Sequence, residues 1–256
     1  MTRTHRPDPQ QTDMTHTGRI DVHAHLLPGI DDGCKNLAES VACARAMVDA
    51  GYTHLFCTPH IWPGNDDIHV GSIGEYVAQL QTTLDTEGVA LKLIPGGEIN
   101  LTPTYTRSTK PRDVVTYGLV GRYAIFDIWV ERLPDFFEPS VRWFRSLGIQ
   151  PILAHPERMR AVQDDPMLVD KLQEMGLLLQ GNLQCISDPP NSLTNRTAMR
   201  FLDEDRYFML GSDLHNLQSL PCRLEGLRLA RQIVGDAKFD ELTITHPLKL
   251  LDGVKL

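Results

Sequence analysis

The chain has 256 residues, enough to bury a large core either as one α/β barrel or as two ordinary domains. Its 33 acidic against 25 basic side chains give a net charge of -8, which argues against the basic surface that nucleic-acid phosphates select. No apolar run reaches the roughly 20 residues of a membrane span, and five cysteines without a CxxC pair suit a reducing compartment, so we expect a cytoplasmic protein that is not inserted in a membrane.

The first predicted elements are an extension, a strand and a helix. Residues 1–18 are rich in Thr, Pro, Asp and Gln, and we expect a flexible N-terminal extension there. Ile20 and Val22 then indicate a short buried strand. Asn36 and Glu39 resemble a capping box at the start of the helix NLAESVACARAMVDAG.

The same alternation of strand and helix continues to the C-terminus. Strand starts are separated by roughly thirty to forty residues, the length of a βαβ unit, so the strands should be parallel with helices outside. No linker or repeat divides residues 19–256, which we predict to form one domain as an open sheet or a closed barrel. After the opening strand, the strand-like segments are HLFCTPH, LKLIPGGEI, YAIFDIWV, IQPILAHPER, LLLQGNLQ and YFMLGSDLHN, which gives seven strands in all.

Almost every predicted strand ends in a side chain that could bind a metal ion. In a (β/α) barrel the carboxyl ends of all strands meet on one face, whereas an open sheet would spread them along an edge, so this placement favours the barrel. Imidazole and carboxylate together suit divalent cations. His54, His69 and His246 are interpreted as ordinary histidines, with His69 in a solvated loop. The predicted cluster comprises His23, His25, His60, Glu98, Asp127, His155, Asp213 and His215.

Five ordered motifs carry a family resemblance that runs from about residue 19 to the end. DVHAHLLPGIDDG, CTPH, GGEI, ILAHPER and GSDLHN resemble the PHP (polymerase and histidinol phosphatase) superfamily. Within it, the chain is similar to the bacterial capsule-biosynthesis protein-tyrosine phosphatases. The resemblance implies a distorted (β/α)7 TIM-like barrel, the PHP fold, that holds up to three divalent metals. Manganese is the metal it implies first, with iron or zinc possible.

The resemblance also implies a role for each residue of the cluster. Asp127 stands where the family usually has glutamate, so its side chain is one methylene shorter. Asp31 would orient a ligand. The implied ligands are His23, His25 and Asp213 at one metal, Glu98 bridging to a second metal with His155, and Asp32, His60 and His215 at a third.

The activity implied is hydrolysis of a phosphomonoester by water that the metals activate. Arg158 would stabilise the phosphate oxygens and is expected to act with Asp32 and His60 in catalysis. Related proteins carry arginine where this chain has Leu220, and Arg223 is the candidate substitute for binding substrate. The expected partner is the phosphotyrosine-bearing tail of a bacterial tyrosine kinase of capsule or exopolysaccharide biosynthesis, and the oligomeric state is left open.

Three other interpretations compete with this one. Residues 222–228, CRLEGLR, match the bare CxxxxxR spacing of cysteine-dependent tyrosine phosphatases. Pro221 before them and the helical pattern after them predict a helix rather than a phosphate-binding loop. A phosphatase for a small metabolite such as histidinol phosphate, and a non-catalytic metal-stabilised protein that binds a kinase tail, remain alternatives.

Overall fold

The computed structural model describes residues 18–64, 67–252 and 254, so the predicted flexible extension lies outside the described residues except for Gly18. Within these ranges the chain alternates strands and helices. The strands are β1 (Arg19–Ala24), β2 (Tyr52–Cys57), β3 (His60–Ile61), β4 (Lys92–Pro95), β5 (Glu98–Asn100), β6 (Tyr123–Asp127), β7 (Gln150–Ala154), β8 (Leu178–Asn182) and β9 (Met209–Gly211).

Two of the seven predicted strands are interrupted, which accounts for the nine strands among the described residues. Thr58 and Pro59 separate β2 from β3, and Gly96 and Gly97 separate β4 from β5. Proline lacks the N–H that a ladder needs, and glycine weakens a strand interior, so both positions break the hydrogen-bonding pattern. The strands consequently form two all-parallel runs, β1-β2-β4 and β3-β5-β6-β7-β8-β9.

The first and last strands meet and close the curl. A parallel bridge joins Ala24 at the end of β1 to Leu214 after β9, and the His25 N–H donates to the Leu214 carbonyl at 2.7 Å. We call each unbroken strand, and each interrupted pair of strands, one stave of the barrel. Seven staves then follow one another around the barrel, and the last pairs with the first. The predicted distorted (β/α)7 barrel is confirmed.

The helices lie mostly in the segments between staves. Asn36 caps α1 by accepting from the Glu39 N–H at 3.0 Å, but the Glu39 carboxylate accepts from the Lys35 N–H, so only half of the predicted capping box forms. The helices are α1 (Leu37–Asp49), α2 (Val70–Thr86), α3 (Tyr105–Ser108), α4 (Phe137–Ser146), α5 (Arg160–Asp164), α6 (Leu168–Glu174), α7 (Leu183–Ser187), α8 (Leu193–Asp203), α9 (Leu220–Asp240, broken at Gly235) and α10 (His246–Leu248).

Residues 222–228 lie inside α9, which confirms the predicted helix and removes the phosphate-loop interpretation. Two apolar clusters hold the barrel together. The smaller draws on every stave, with members such as Val22, Phe56 and Ile152, and therefore fills the barrel interior. The larger packs the helices onto the outside of the sheet. Within the described residues, no helix is both long and apolar enough to cross a membrane.

Candidate metal centre and active site

Barrel closure brings the polar ends of β1 and β9 together. The Asp213 N–H, just after β9, donates to the His23 carbonyl at 2.7 Å. In the neighbouring staves, His60 of β3 and Glu98 of β5 are paired in register. The interruptions before these two residues therefore start two short strands whose first side chains face the same point. The cluster lies at the carboxyl face of the barrel, where sites of this fold are built.

The Nε2 atoms of His23 and His25 lie at similar distances from each other and from one oxygen each of Glu98 and Asp213. His23 Nε2 is 3.2 Å from Glu98 Oε2, 3.4 Å from Asp213 Oδ1 and 3.3 Å from His25 Nε2. His25 Nε2 is 3.4 Å from the same Glu98 oxygen and 3.3 Å from the same Asp213 oxygen. Two ligands that bind one ion at about 2.1 Å, separated by about 90° to 109°, lie about 3.0 to 3.4 Å apart. The spacing therefore fits a shared cation.

The hydrogen-bonding state of Glu98 points the same way. Its Oε2 is buried and has no hydrogen-bond partner among the described residues, although three imidazole nitrogens surround it. A buried carboxylate oxygen without a partner is costly unless a cation compensates it. The residues present therefore fit the metal that the sequence predicts.

A second group of donors lies on the outer side of Glu98. His60 Nδ1 is 3.0 Å from Glu98 Oε2, and its Nε2 is 3.4 Å from Asp32 Oδ1. His215 Nε2 is 3.5 Å from the same Asp32 oxygen. Donor atoms of Asp32, His60 and His215, together with one of His25, all lie within 4.8 Å of one another. This is the set predicted for the third metal, with His25 added.

A third group forms around the other oxygen of Glu98. His155 Nε2 lies 3.0 Å from Glu98 Oε1, and donors of His23, Glu98 and His155 lie within 4.8 Å of one another. The two oxygens of Glu98 therefore lie beside donor atoms from all three groups, as those of a bridging carboxylate would. Asp127 is in none of the three groups found among the described residues, because its oxygens accept from Trp129 Nε1 and, at 3.1 Å, from Asn100 Nδ2. Its role as a ligand stays a prediction.

Hydrogen bonds to the far ring nitrogens orient the two central imidazoles. Gln180 Oε1 lies 2.8 Å from His23 Nδ1, and Asp31 Oδ2 lies 2.7 Å from His25 Nδ1. Each acceptor holds a proton on Nδ1 and leaves the Nε2 lone pair free for a cation. Asp31 therefore contacts His25 as an orienting residue would, and the role of His25 as a ligand stays a prediction. Gln180 was not predicted, although a glutamine in the otherwise apolar segment LLLQGN is the signal that could have identified it.

The backbone around the cluster is strained at two of its residues. His155 has φ of 33° and Asp213 has φ of 53°, the left-handed region that residues other than glycine rarely adopt. Such strain concentrates at functional sites, where it aims a side chain. Gly33 supplies a close approach of a different kind, since a Cβ there would lie 2.2 Å from the His25 carbonyl oxygen. Glycine at this position keeps the loop that carries Asp31 and Asp32 against β1.

The electrostatics of the cluster show how strongly it attracts positive charge. Burial opposes ionisation of Glu98 and Asp213, but His23 and the other positively charged or hydrogen-bonding neighbours together outweigh it and hold the pKa of both carboxyls well below the ordinary values. Burial likewise opposes charging of His25, but hydrogen bonds to Asp213 and Asp31 raise its pKa well above 6.5. Buried acids of this kind need either protonated imidazoles or cations beside them.

The two candidate arginines occupy different environments. Arg158 has a side chain 35% exposed, and its Nη1 donates to Asp213 Oδ2 at 2.8 Å. Asn182 Nδ2, which was not predicted, donates to the same oxygen at 2.7 Å. Arg223 is buried and donates to the carbonyls of Asp213 and Ser219 at 2.9 and 3.0 Å. In this structure Arg223 therefore fixes the loop after β9, and its predicted contact with substrate stays a prediction.

The histidines interpreted as ordinary lie outside the three donor groups of the described residues. His69 is exposed in the loop before α2, and its Nδ1 accepts from the Gly71 N–H at 3.1 Å and caps that helix. His54 Nδ1 lies 2.9 Å from Thr53 Oγ1, and His246 Nδ1 lies 2.6 Å from the Phe208 carbonyl. Leu220, which stands in place of the expected arginine, is the buried first residue of α9.

Known proteins resemble this chain over nearly its whole length. It is 26% identical over 200 residues to the tyrosine-protein phosphatase YwqE of Bacillus subtilis (strain 168), covering 78% of each protein. It is 26% identical over 238 residues to the tyrosine-protein phosphatase CpsB of Streptococcus pneumoniae, covering 91% of this chain and 98% of that protein. A solved structure from work on YwqE and CpsB, described there as unique metal-dependent tyrosine phosphatases, superposes with a TM-score of 0.82 at 24% identity, covering 93% of this chain and 96% of that one. The profile of the family described as capsular polysaccharide synthesis, CpsB/CapC, matches residues 19–252, and the chain therefore belongs to that family.

Proposed function

We propose that this protein is a metal-dependent phosphomonoesterase that hydrolyses phosphotyrosine in proteins. The observation that carries the proposal is the spacing of 3.2 to 3.4 Å at which the Nε2 atoms of His23 and His25 lie from each other and from carboxylate oxygens of Glu98 and Asp213, as ligands of shared cations do. Divalent cations bound there would lower the pKa of bound water towards neutrality and neutralise charge that develops at phosphorus. The names of the relatives, as tyrosine-protein phosphatases, support the choice of substrate.

Arg158 is the side chain that we assign to the phosphoryl oxygens. Burial opposes its charge, but Asp213 and its other neighbours together outweigh burial and keep its pKa above the ordinary value, so it stays cationic. The bond to Asp213 uses Nη1 and fixes the plane of the guanidinium, whose exposed part faces the mouth of the site. A guanidinium held this way can bind two phosphate oxygens side by side. We also propose that Asp32 and His60 act together with Arg158 in catalysis.

We further propose that the cluster holds up to three divalent ions, with manganese as the physiological metal. Mixed imidazole and carboxylate donors suit manganese, iron and zinc. In this proposal His23, His25 and Asp213 bind one ion, Glu98 and His155 bind a second ion beside Asp127, and the remaining ligands bind a third, and the three donor groups support it. That last set is Asp32, His60 and His215.

The partner that we propose is a bacterial tyrosine kinase of capsule or exopolysaccharide synthesis, which would present a phosphotyrosine-bearing tail. The family description, capsular polysaccharide synthesis, supports this choice. The reaction would take place in the cytoplasm, since all five cysteines are free thiols, as in proteins of a reducing compartment.

The test compares hydrolysis of three substrates by protein stripped with a chelator and reloaded with manganese. These are p-nitrophenyl phosphate, a phosphotyrosine peptide and histidinol phosphate. We expect metal-dependent turnover of the first two and a much lower kcat/KM for the third. Preference for histidinol phosphate would replace the proposal with a metabolite phosphatase.

Two variants show whether the cluster is responsible. His60→Ala removes a donor that faces both Glu98 and Asp32, and we expect at least a hundredfold loss of activity and less bound metal by elemental analysis. His54→Ala removes a histidine outside the cluster and should leave both unchanged. Bound metal without turnover of any substrate would contradict the proposal and favour a non-catalytic protein that binds a kinase tail.

A further inference from the structure

A cavity of about 240 Å³ opens beside the candidate metal centre. His155 and Arg158 line its inner end, so it borders the point at which a phosphate would bind. Its walls are apolar and come from Ile128, Trp129 and Met159. A mostly apolar cleft with a few convergent polar groups is the usual form of a small-molecule site. The cavity therefore lies where the organic part of a phosphate ester would have to go.

Trp129 is the most conspicuous wall of this cavity. It is 80% exposed, more than any other large apolar side chain of the described residues. Its ring is nevertheless held in place, because the indole N–H donates to Asp127 Oδ2. An exposed ring that lines a mostly apolar cavity beside a polar site is available to contact a ligand bound there. The hydrogen bond fixes the ring in advance of any ligand, which lowers the entropy cost of binding.

We propose that this cavity, named here the aryl pocket and defined by Ile128, Trp129, Val130 and Met159, binds the aromatic ring of an aryl phosphate, with Trp129 as a specificity-determining residue. The inference rests on the proposed phosphatase function and names the part of the site that selects the substrate. An apolar cavity of about 150 Å³ accommodates benzene, so 240 Å³ has room for a phenol ring. Stacked or edge-to-face contact between the two rings adds to the apolar burial.

A second cavity near the site is a poorer fit for an aromatic ring. It has about 380 Å³ and lies beside Trp62, but its wall includes Thr102, Thr104, Ser108 and Asp113. None of the candidate metal ligands lines it. A ring placed there would meet hydroxyls and a carboxylate, and its phosphate would not reach Arg158 directly. The aryl pocket is therefore assigned to the ring.

The test measures binding rather than turnover, so that it stands apart from the proposed activity. Benzylphosphonate, which cannot be hydrolysed, and inorganic phosphate are titrated by calorimetry into manganese-loaded protein. Trp129→Ala should weaken benzylphosphonate binding about tenfold, as expected for loss of a stacked ring and its burial, and change phosphate binding less than about twofold. Trp129→Phe keeps a ring but loses the N–H to Asp127, and should remain within about threefold of the unmodified protein.

A control variant and three opposing outcomes complete the test of the aryl pocket. Ile233→Ala removes an apolar side chain, 41% exposed, from α9 and serves as the matched control that should bind both ligands normally. Equal losses for both ligands in Trp129→Ala, or a Trp129→Phe variant as weak as Trp129→Ala, would show that the residue acts through Asp127 and would overturn the proposal. So would tighter binding of phosphate than of benzylphosphonate by the unmodified protein. Failure of p-nitrophenyl phosphate hydrolysis alone would refute the proposed function but not the pocket.

Discussion

Replacing Gln180 with leucine should weaken metal binding without unfolding the protein. Gln180 lies on β8 and is fully buried, and its Oε1 accepts the proton on His23 Nδ1 at 2.8 Å. That hydrogen bond selects the His23 tautomer whose Nε2 is free to bind a cation. Leucine has a similar size but cannot accept, so the metal-binding tautomer of His23 would keep a buried donor without a partner.

The cost falls mainly on the metal-bound state. In the metal-free protein the His23 proton can move to Nε2, which lies 3.2 Å from Glu98 Oε2 and can donate there. With metal bound this alternative is lost, and an unsatisfied buried donor costs about 1 to 3 kcal/mol. At about 1.4 kcal/mol per factor of ten, the dissociation constant should rise about 5- to 150-fold. This range overlaps the roughly 10- to 100-fold loss that is typical when such an orienting partner is mutated.

Calorimetric titration of manganese into chelator-stripped protein measures the effect directly. Gln180→Glu restores an acceptor and should bind metal at least as tightly as the unmodified chain. Gln173→Leu is the matched control, because Gln173 also makes hydrogen bonds, to Arg206, but lies on α6 away from the cluster. Unchanged affinity in Gln180→Leu, or an equal loss in Gln173→Leu, would refute the reasoning.

Three further predictions test the site from other directions. Gly33→Ala places a methyl group 2.2 Å from a carbonyl oxygen and should lower activity at least tenfold, whereas Gly74→Ala, whose Cβ would meet its nearest atom at 3.8 Å, should not change it. Arg158→Lys keeps the charge but loses paired hydrogen bonds, so kcat/KM for p-nitrophenyl phosphate should fall about 10- to 100-fold. Arg223→Lys should lower the melting temperature, because it removes bonds to two carbonyls, and should change the inhibition constant of phosphate less than about threefold. A larger change in that constant would reveal substrate contact by Arg223. In metal-free protein kept in chelator, the raised pKa of His25 contributes stability below about pH 6.5 that is lost as pH rises through that pKa. Thermal unfolding followed by circular dichroism should therefore show a melting temperature that falls above pH 6.5. A flat or rising profile would contradict a raised pKa at His25.

The barrel and the cluster were predictable because both follow from local patterns in the sequence. Buried strands and amphipathic helices alternate at a fixed spacing, and the carboxyl ends of parallel strands must share one face of a barrel. Residues such as His23 and His155, far apart in sequence, could be placed together on that argument alone. The sequence indicated a Thr-Pro turn at the end of HLFCTPH, but neither that strand pairing resumes after the interruption at Pro59 nor that a second interruption occurs at Gly96, because LKLIPGGEI reads as one apolar segment. The two interruptions matter for the site, since they start the short strands that hold His60 and Glu98 in register.

Side chains that act through another residue were harder to predict. Gln180 and Asn182 look like ordinary polar residues at the end of a strand, and only the folded chain shows them bound to His23 and Asp213. Arg223 illustrates the opposite problem. Its position three residues after Leu220 predicted a substrate contact, which stays a prediction, but the sequence did not show that two of its donors would bind backbone carbonyls near the start of α9. Sequence spacing gives the nearness of such groups but not the direction in which they point.

Asp127 lies between the donor cluster around Glu98 and the indole of Trp129. Its carboxylate lies at the end of β6, near enough to Glu98 that this neighbour, after burial, raises its pKa. Its oxygens are nevertheless engaged by Asn100 and by the indole of Trp129 rather than by the donor groups around Glu98. A longer side chain at this position would reach further into the cluster and would change the hydrogen bond that holds the tryptophan. If Asp127 binds a metal as predicted, the shorter residue that this chain carries would couple two properties, the strength of that metal site and the position of the ring that we assign to substrate recognition.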